Sequence, residues 1–241
     1  MDGVHPDMGD DGWIFDDTYK GSSKDSLHGF KFLRQVSLEA DPLASTSVTV
    51  PVLWDKKTGS IVNNESSQII RIFNSAFNDL NGNTDDFYAS SLRWEIDDLN
   101  GKIYQTVNNG VYKTGFAANQ GSYDEAVTSL FDTLDELDQR LINFKYLLGD
   151  EMTEADLRLI PTLLRFDVGY FTHFKCNWKR IVDYKILHRY MLALYSVPAI
   201  TDTCHFDHIK RHYYFSHESI NPHRIIPKGP QKIFANWNET C

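Results

Sequence analysis

Two short segments of this 241-residue chain, Val50-Pro51 and Glu65-Ser66, carry residue types at a spacing that suits ligand chemistry. Proline cannot donate to a sheet ladder, so within the β-rich run "SVTVPVLW" it belongs at an edge, a strand start or a bulge. An X-Pro bond adopts the cis form far more readily than any other peptide bond. A cis-Pro51 at a strand start would turn the N–H and C=O of Val50 outward, where an extended peptide can pair with them. Glu65 and Ser66 follow Asn63-Asn64 where a helical pattern begins. A helix N-terminus has free N–H groups and a positive dipole end, which suit a carboxylate. Ser66 adds a hydroxyl donor and Glu65 can accept from an ammonium group. Together these groups can hold a small zwitterionic peptide by its backbone and by one amino-acid head. The plainer reading is an edge strand opened by Pro51 and a helix capped by Glu65 or Ser66, and spacing alone leaves both open.

The thiols and imidazoles form no such set. Cys176, Cys204 and Cys241 are odd in number and contain no CxxC pair, which is neither a disulfide framework nor zinc-site spacing. A reducing compartment is the simplest reading. His205, His208 and His212 stand at helical spacings of three and four, as metal ligands can. No carboxylate or cysteine set completes that site, so no metal is expected.

The elements that must position these residues are legible from periodicity and turn chemistry. "HGFKFLRQVSLEAD" reads as a helix. "VTVPVLW" and "SIVN" read as two strands around "DKKTG", with Gly59 where a hairpin turn wants one. "ESSQIIRIFNSAF" reads as a helix burying Ile69, Ile70, Ile72, Phe73 and Phe77. From about residue 85 the pattern is helical alone. Leu92, Ile96, Leu99, Ile103 and Val107 form an apolar stripe expected to stop at Asn109-Gly110. The next helix opens on a capping box of Ser122 and Glu125 and buries Val127, Leu130, Leu134, Leu137 and Leu141. Thr153 and Asp156 cap the helix after that, and "RIVDYKILHRYMLALYSVP" ends at Pro198. The fold class is therefore α+β to mostly α. Residues 1–84 form a small α/β domain and residues 85–241 a larger helical one.

Composition bounds the partners. Hydrophobic content of 41% and aromatic content of 13% fit a packed globular protein. No apolar run approaches the roughly 20 residues that span a bilayer, so no membrane partner is expected. A net charge of −9 argues against nucleic acid, which needs a basic surface. The first residues have neither the basic flank nor the apolar run of a secretory signal, so an intracellular, cytoplasmic chain is expected.

The order of an α/β unit before a helical domain resembles the cytosolic glutathione transferases, whose thioredoxin-like domain precedes a helical bundle. Five blocks sharpen the likeness: "TVPVLWDKKTGSIVNNESSQIIRIFN", "NNGVYKTGFA", "TEADLRL", "RFDVGYFTHFKCN" and "FDHIKRHYYFSH". Together they resemble the glutathionyl-hydroquinone reductases, also called xi-class glutathione transferases, in the family's order and over nearly the whole chain. "HPDMGDDGWIF" and "DTYKGSSKDSLHGFKFL" are most similar to plant members.

The resemblance implies glutathione as co-substrate and a quinol-type small molecule as substrate. In this family a cysteine thiolate attacks the sulfur of a glutathionyl-hydroquinone, the hydroquinone leaves, and a second glutathione resolves the mixed disulfide. By similarity Trp13 packs against glutathione, Val50 and Pro51 hold its cysteinyl backbone, and Glu65 and Ser66 hold its γ-glutamyl head. Tyr112 matches a catalytic tyrosine that gives and takes the quinol proton, and Tyr170 and Tyr213 match tyrosines that stabilise the thiolate. A homodimer is also implied, with a plastid location if a transit peptide precedes the chain.

The chain departs from the family pattern twice. The family's nucleophile lies in a Cys-Pro-Trp-Ala motif upstream of the "HPDMG" segment, and these 241 residues contain no such motif. Cys176 falls in a helical-domain block and reads as structural. This implies an N-terminally truncated thioredoxin-like domain, without its central first strand, beside a well-packed helical domain. The second departure is Ser47, where the family usually has an arginine, so the charge and fork geometry are absent there. Two functions from different classes stay open: a glutathione-dependent reductase, or an inactive glutathione- or quinol-binding or dimer-forming fragment. Residual transferase activity resting on Tyr112 is a weaker third.

Overall fold

The computed structural model describes residues 1–45 and 48–230, so Ser47 and Cys241 lie outside the described residues. The chain forms two compact units, Met1–Asp85 and the remainder from Asp86.

In the first unit, α1 (Leu33–Ala40) begins five residues later than periodicity suggests. The reason is Asp25, whose carboxylate accepts from the amides of Leu27, His28 and Phe30. With Gly29 at φ +70°, those donors close a turn instead of opening a helix. Gln35 Oε1 then accepts from the amides of Lys31 and Phe32 and starts α1 at Leu33. The hairpin joins β1 (Leu53–Asp55) to β2 (Ser60–Asn63), antiparallel, and Gly59 turns at φ +64°. Residues 48–52 stay outside the ladder, because Pro51 has no N–H to give and precedes the first paired residue. The register pairs Leu53 with Asn63 and Trp54 with Ile61, which leaves Val62 as a bulge on β2. Helix α2 (Ser66–Ser75) and a single turn, α3 (Asn78–Asn81), complete the unit. Ile69 is buried as expected, but Phe73 and Phe77 are 53% and 40% exposed and face each other at 5.7 Å. Among the described residues of this unit the buried apolar side chains are Pro6, Leu33, Val36 and Ile69, a small core for about 85 residues.

The second unit is helical. Helix α4 (Arg93–Ile103) does not end at Asn109-Gly110 as expected. It widens into a π turn over Tyr104–Asn108, closed by Asn109 N–H donating to Tyr104 O, and continues as α5 (Gly110–Gly115). The spacing of apolar residues explains the π turn. Leu99, Ile103, Val107 and Val111 follow one another at intervals of four, and each is buried. In an α-helix each such step overshoots a full turn by about 40°. Inserting one wider turn absorbs that drift and keeps the stripe on the core.

Helix α6 (Gln120–Arg140) starts before the expected Ser122 box, because Asn119 Oδ1 caps it by accepting from Ser122 N. Its expected face, Val127 to Leu141, is buried throughout. Helix α7 (Glu154–Arg165) runs into a second π turn, Phe166–Tyr170, and a short α8 (Phe171–His173). After a 3₁₀ turn at Ile181–Asp183 come α9 (Lys185–Tyr195), α10 (Pro198–Thr201) and α11 (Phe206–Ser216). Asp138 on α6 caps α9 by accepting from the amides of Ile186 and Leu187. Pro198 opens α10 at its first position, where its missing N–H costs nothing.

One carboxylate organises the junction of these helices. Asp156 is fully buried and accepts from Thr153 N and Oγ1 in the capping box of α7, from Leu147 N in the preceding loop, and from Tyr190 OH on α9. Asp156→Ala leaves four buried donors without that acceptor, each worth roughly 1–3 kcal/mol when unmet. Urea unfolding of the second unit should show a loss of about 3 kcal/mol or more. Thr153→Ala should cost only about 1 kcal/mol, as an ordinary cap loss does. Equal losses would contradict the hub.

Candidate active site

The two π turns deliver the expected tyrosines. Tyr112 stands on α5 just after the first, Tyr170 closes the second, and Tyr213 comes from α11. Their hydroxyls meet in a chain. Tyr213 OH lies 2.6 Å from Tyr112 OH and 2.8 Å from Tyr170 OH, so it is the middle member. Tyr170 and Tyr213 are 2% and 5% exposed, while Tyr112 is partly open. Burial, reinforced by the neighbouring phenols, pushes the Tyr170 hydroxyl well above the ordinary phenol range and the Tyr213 hydroxyl above it too. Both inner members therefore keep their protons, and Tyr112 is the end of the chain open to a ligand.

Phe174 supplies the wall behind the hydroxyls. Its ring stacks on Tyr170 (5.4 Å, 9°), lies 5.2 Å from Tyr112, and meets Tyr213 edge-on at 5.7 Å. Gly115 permits this approach, since a Cβ there would fall 2.3 Å from Phe174 Cδ1. The positive charge of Arg165, which precedes the second π turn, acts on all three phenols and draws Tyr170 and Tyr213 back toward lower values. Sequence reasoning named neither Phe174 nor Arg165. Both lie in the block "RFDVGYFTHFKCN", and the aromatic step of four from Tyr170 to Phe174 was the available signal.

The thiols are placed differently. Burial pushes the Cys176 thiol up to about 12, with its Sγ against the carbonyls of Val111 and Phe174. Burial likewise pushes Cys204 up to about 11. Neither has the lowered pKa of a nucleophile. Among the described residues no three His, Cys, Asp or Glu side chains come together as a metal site.

In the first unit the Val50–Pro51 peptide is cis, and both residues are exposed ahead of β1. Glu65 is the exposed N-cap of α2 and Ser66 its first residue, and neither side chain is spent on capping. Asn63 Oδ1 instead accepts from Glu65 N at 2.7 Å and fixes the approach to the helix. Trp13 is half-buried on the segment that pairs with residues 31–33, its carbonyl accepting from Leu33 N.

Residues 120–193 match the family model described as "Glutathione S-transferase, C-terminal domain". The chain is 52% identical over 227 residues to glutathionyl-hydroquinone reductase YqjG of Escherichia coli K12, covering 94% of this chain and 69% of the relative. A glutathione-bound structure of YqjG aligns with a TM-score of 0.94 and 51% identity, over 96% of this chain and 76% of that one. Glutathionyl-hydroquinone reductase PcpF of Sphingobium chlorophenolicum is 49% identical, covering 94% of this chain and 72% of the relative. The xi glutathione transferase of Phanerochaete chrysosporium aligns with a TM-score of 0.93 and 50% identity, over 95% and 80% of the two chains. The fold is thus that of a glutathione transferase, with a thioredoxin-like first part and a helical second domain. Within that class the chain belongs to the glutathionyl-hydroquinone reductases, the xi-class glutathione transferases.

The hydroxyl chain makes unequal demands on its members. Tyr213→Phe leaves the Tyr170 hydroxyl buried without a partner and should cost about 1–3 kcal/mol. Tyr112→Phe leaves Tyr213 still bonded to Tyr170 and should cost under about 1 kcal/mol. Urea unfolding of the two variants checks the order, and a larger loss for Tyr112→Phe would contradict it.

Proposed function

We propose that this protein works as a glutathione-dependent reductase of glutathionyl-hydroquinones. The observation that carries the reading is the three-phenol chain with two buried, proton-holding members and one open end. In the reaction the electron pair of the ring carbon–sulfur bond stays with the ring, which takes up a proton and leaves as hydroquinone. A cysteine thiolate of the kind the family uses bonds to the glutathionyl sulfur as the ring leaves, and a second glutathione then attacks this mixed disulfide, forming oxidised glutathione and releasing the cysteine thiol. Tyr112 gives and takes the proton at the quinol oxygen. Tyr213 and Tyr170 re-supply Tyr112 and donate hydrogen bonds to an anionic sulfur. Cys176 and Cys204 are not the attacking thiol. The similarity to reductases across nearly all of this chain favours this reading over that of an inactive binding fragment.

Glutathione belongs to the proposal through the first unit. Val50 and Pro51 take its cysteinyl backbone, Glu65 and Ser66 its γ-glutamyl head, and Trp13 its flank. The exposed, uncommitted Glu65 and Ser66 at the start of α2 support this assignment. A homodimer, a cytoplasmic or plastid location, a plant-like origin and a Cys-Pro-Trp-Ala segment ahead of Met1 are carried by resemblance alone. Intact mass of the native protein tests the last of these directly.

The native protein, given glutathionyl-hydroquinone and glutathione, should turn over well above the uncatalysed background. Tyr112→Phe should lower that rate by about 100-fold or more, the usual worth of a general acid. Cys176→Ser and Cys204→Ser should leave the rate near wild type. Turnover no faster than background sinks the proposal. In calorimetry Glu65→Gln should weaken glutathione binding about tenfold, the loss of one charge-assisted hydrogen bond. Unchanged affinity would remove Glu65 from the site.

A further inference from the structure

His173, the last residue of α8, and His217, the C-cap of α11, form a ring–ring hydrogen bond with Nε2 and Nδ1 3.1 Å apart. His173 is 5% exposed. Both residues adjoin the phenol cluster in the chain as well as in space. Phe174, the wall behind the hydroxyls, directly follows His173. Tyr213 lies four residues before His217, one turn back along the face of α11. The His217 ring also stacks on Phe174 (5.6 Å, 19°) and meets Tyr213 (5.6 Å) and Phe116 (5.2 Å) edge-on.

We propose that His173 and His217 are positioning residues for the phenol cluster: their hydrogen bond ties the Phe174 segment to α11 and so keeps the Tyr213 hydroxyl between those of Tyr112 and Tyr170. This deepens the proton-handling role given to the three phenols above and rests on that reading. The contact needs one ring nitrogen that donates and one bare nitrogen that accepts. A doubly protonated pair would set two N–H groups against each other.

The surroundings keep the pair neutral. Phe116 at the C-cap of α5, Phe174 after α8, and Tyr213 and Tyr214 on α11 enclose it, with Tyr214 4.7 Å from His173. The charges that act on the pair are those of Lys175, on His173, and of His212, on both rings. His212 has its own Nδ1 within 3.2 Å of Ser216 Oγ. Burial, with those charges adding to it, lowers each imidazole to about 4. The folded-state values lie below the ordinary imidazole value of 6.5. The stability supplied by the neutral pair is therefore complete above about 6.5 and is lost as pH falls through about 4.

The test is NMR on the full chain labelled with ¹⁵N-histidine, following the hydroxyl protons of the three tyrosines. In wild type a coupling across the Nε2–Nδ1 hydrogen bond should be present at pH 7. His217→Phe keeps the ring stack and removes the bond, so hydroxyl exchange should quicken about tenfold or more. His217→Asn places an amide where Nδ1 stood, so exchange should stay near wild type. The reverse order, or no change in either variant, overturns the proposal. If both variants fail to fold, a wild-type titration from pH 7 to 4 decides. Tyrosine hydroxyl shifts moving with the same midpoint as the two histidines support the clamp, and independent titration overturns it. None of these signals requires turnover. An inactive wild-type protein that shows them would overturn the proposed function and leave the clamp standing.

Discussion

The helical unit depends on a buried carboxylate that has traded water for four protein donors. Asp156 has no solvent, and its two oxygens are shared among the α7 cap, the loop amide of Leu147 and the Tyr190 hydroxyl. Burying an unsatisfied carboxylate would cost more than most single contacts can return, so these partners are held as a set. The set fixes where α7 begins and which way α9 lies against it. Everything downstream on α7, including Arg165 and the π turn that ends in Tyr170, is phased from that cap.

Phasing matters because the site is made by helices that break their own period. An α-helix carrying buried residues at repeated steps of four would rotate them off the core within three turns. The π turns at Tyr104–Asn108 and Phe166–Tyr170 correct that rotation, and a phenol stands directly at or after each one. Core burial and site geometry are thus solved by the same distortion. A second helix of contacts tightens it: Asn108 Nδ2 on the first π turn donates to Thr162 Oγ1 and Arg158 O on α7. The hydroxyls of Tyr112 and Tyr170 are consequently positioned from one joined pair of helices, and α11 adds Tyr213.

Much of this was legible in the residues. The apolar stripes of α4 and α6, the Thr153–Asp156 box and the Gly59 hairpin follow from periodicity and turn chemistry, which act over a few residues; the helix expected from Arg180 starts only at Lys185, after the 3₁₀ turn. The misreadings share a cause in local competition. Asp25 captured amides that looked helical, Asn119 outbid Ser122 as a cap, and Asn109-Gly110 looked like a stop because the step of four to Val111 was not followed further. Phe73 and Phe77 were assigned to a buried face, but Phe73 on α2 and Phe77 at the start of α3 are both exposed within the unit. The meeting of three hydroxyls from residues 112, 170 and 213 is a property of tertiary packing, and no spacing rule encodes it. Only the likeness of whole blocks to a known family singled those tyrosines out.

Desolvation explains why the helical unit carries phenols at its centre and wastes its thiols. Burial raises the pKa of both groups for the same reason, by penalising the anion. For a thiol that removes the reactive form, and Cys176 and Cys204 are raised in this way. For a phenol it preserves the useful form, because a protonated hydroxyl can donate while an ionised one cannot. Tyr170 and Tyr213 sit deep enough to stay protonated, and Tyr112 is only partly buried. A nearby guanidinium, Arg165, biases the same spot toward receiving negative charge. The helical unit therefore keeps two protonated phenols under the charge of Arg165, while burial holds its described thiols, Cys176 and Cys204, in the unreactive protonated form.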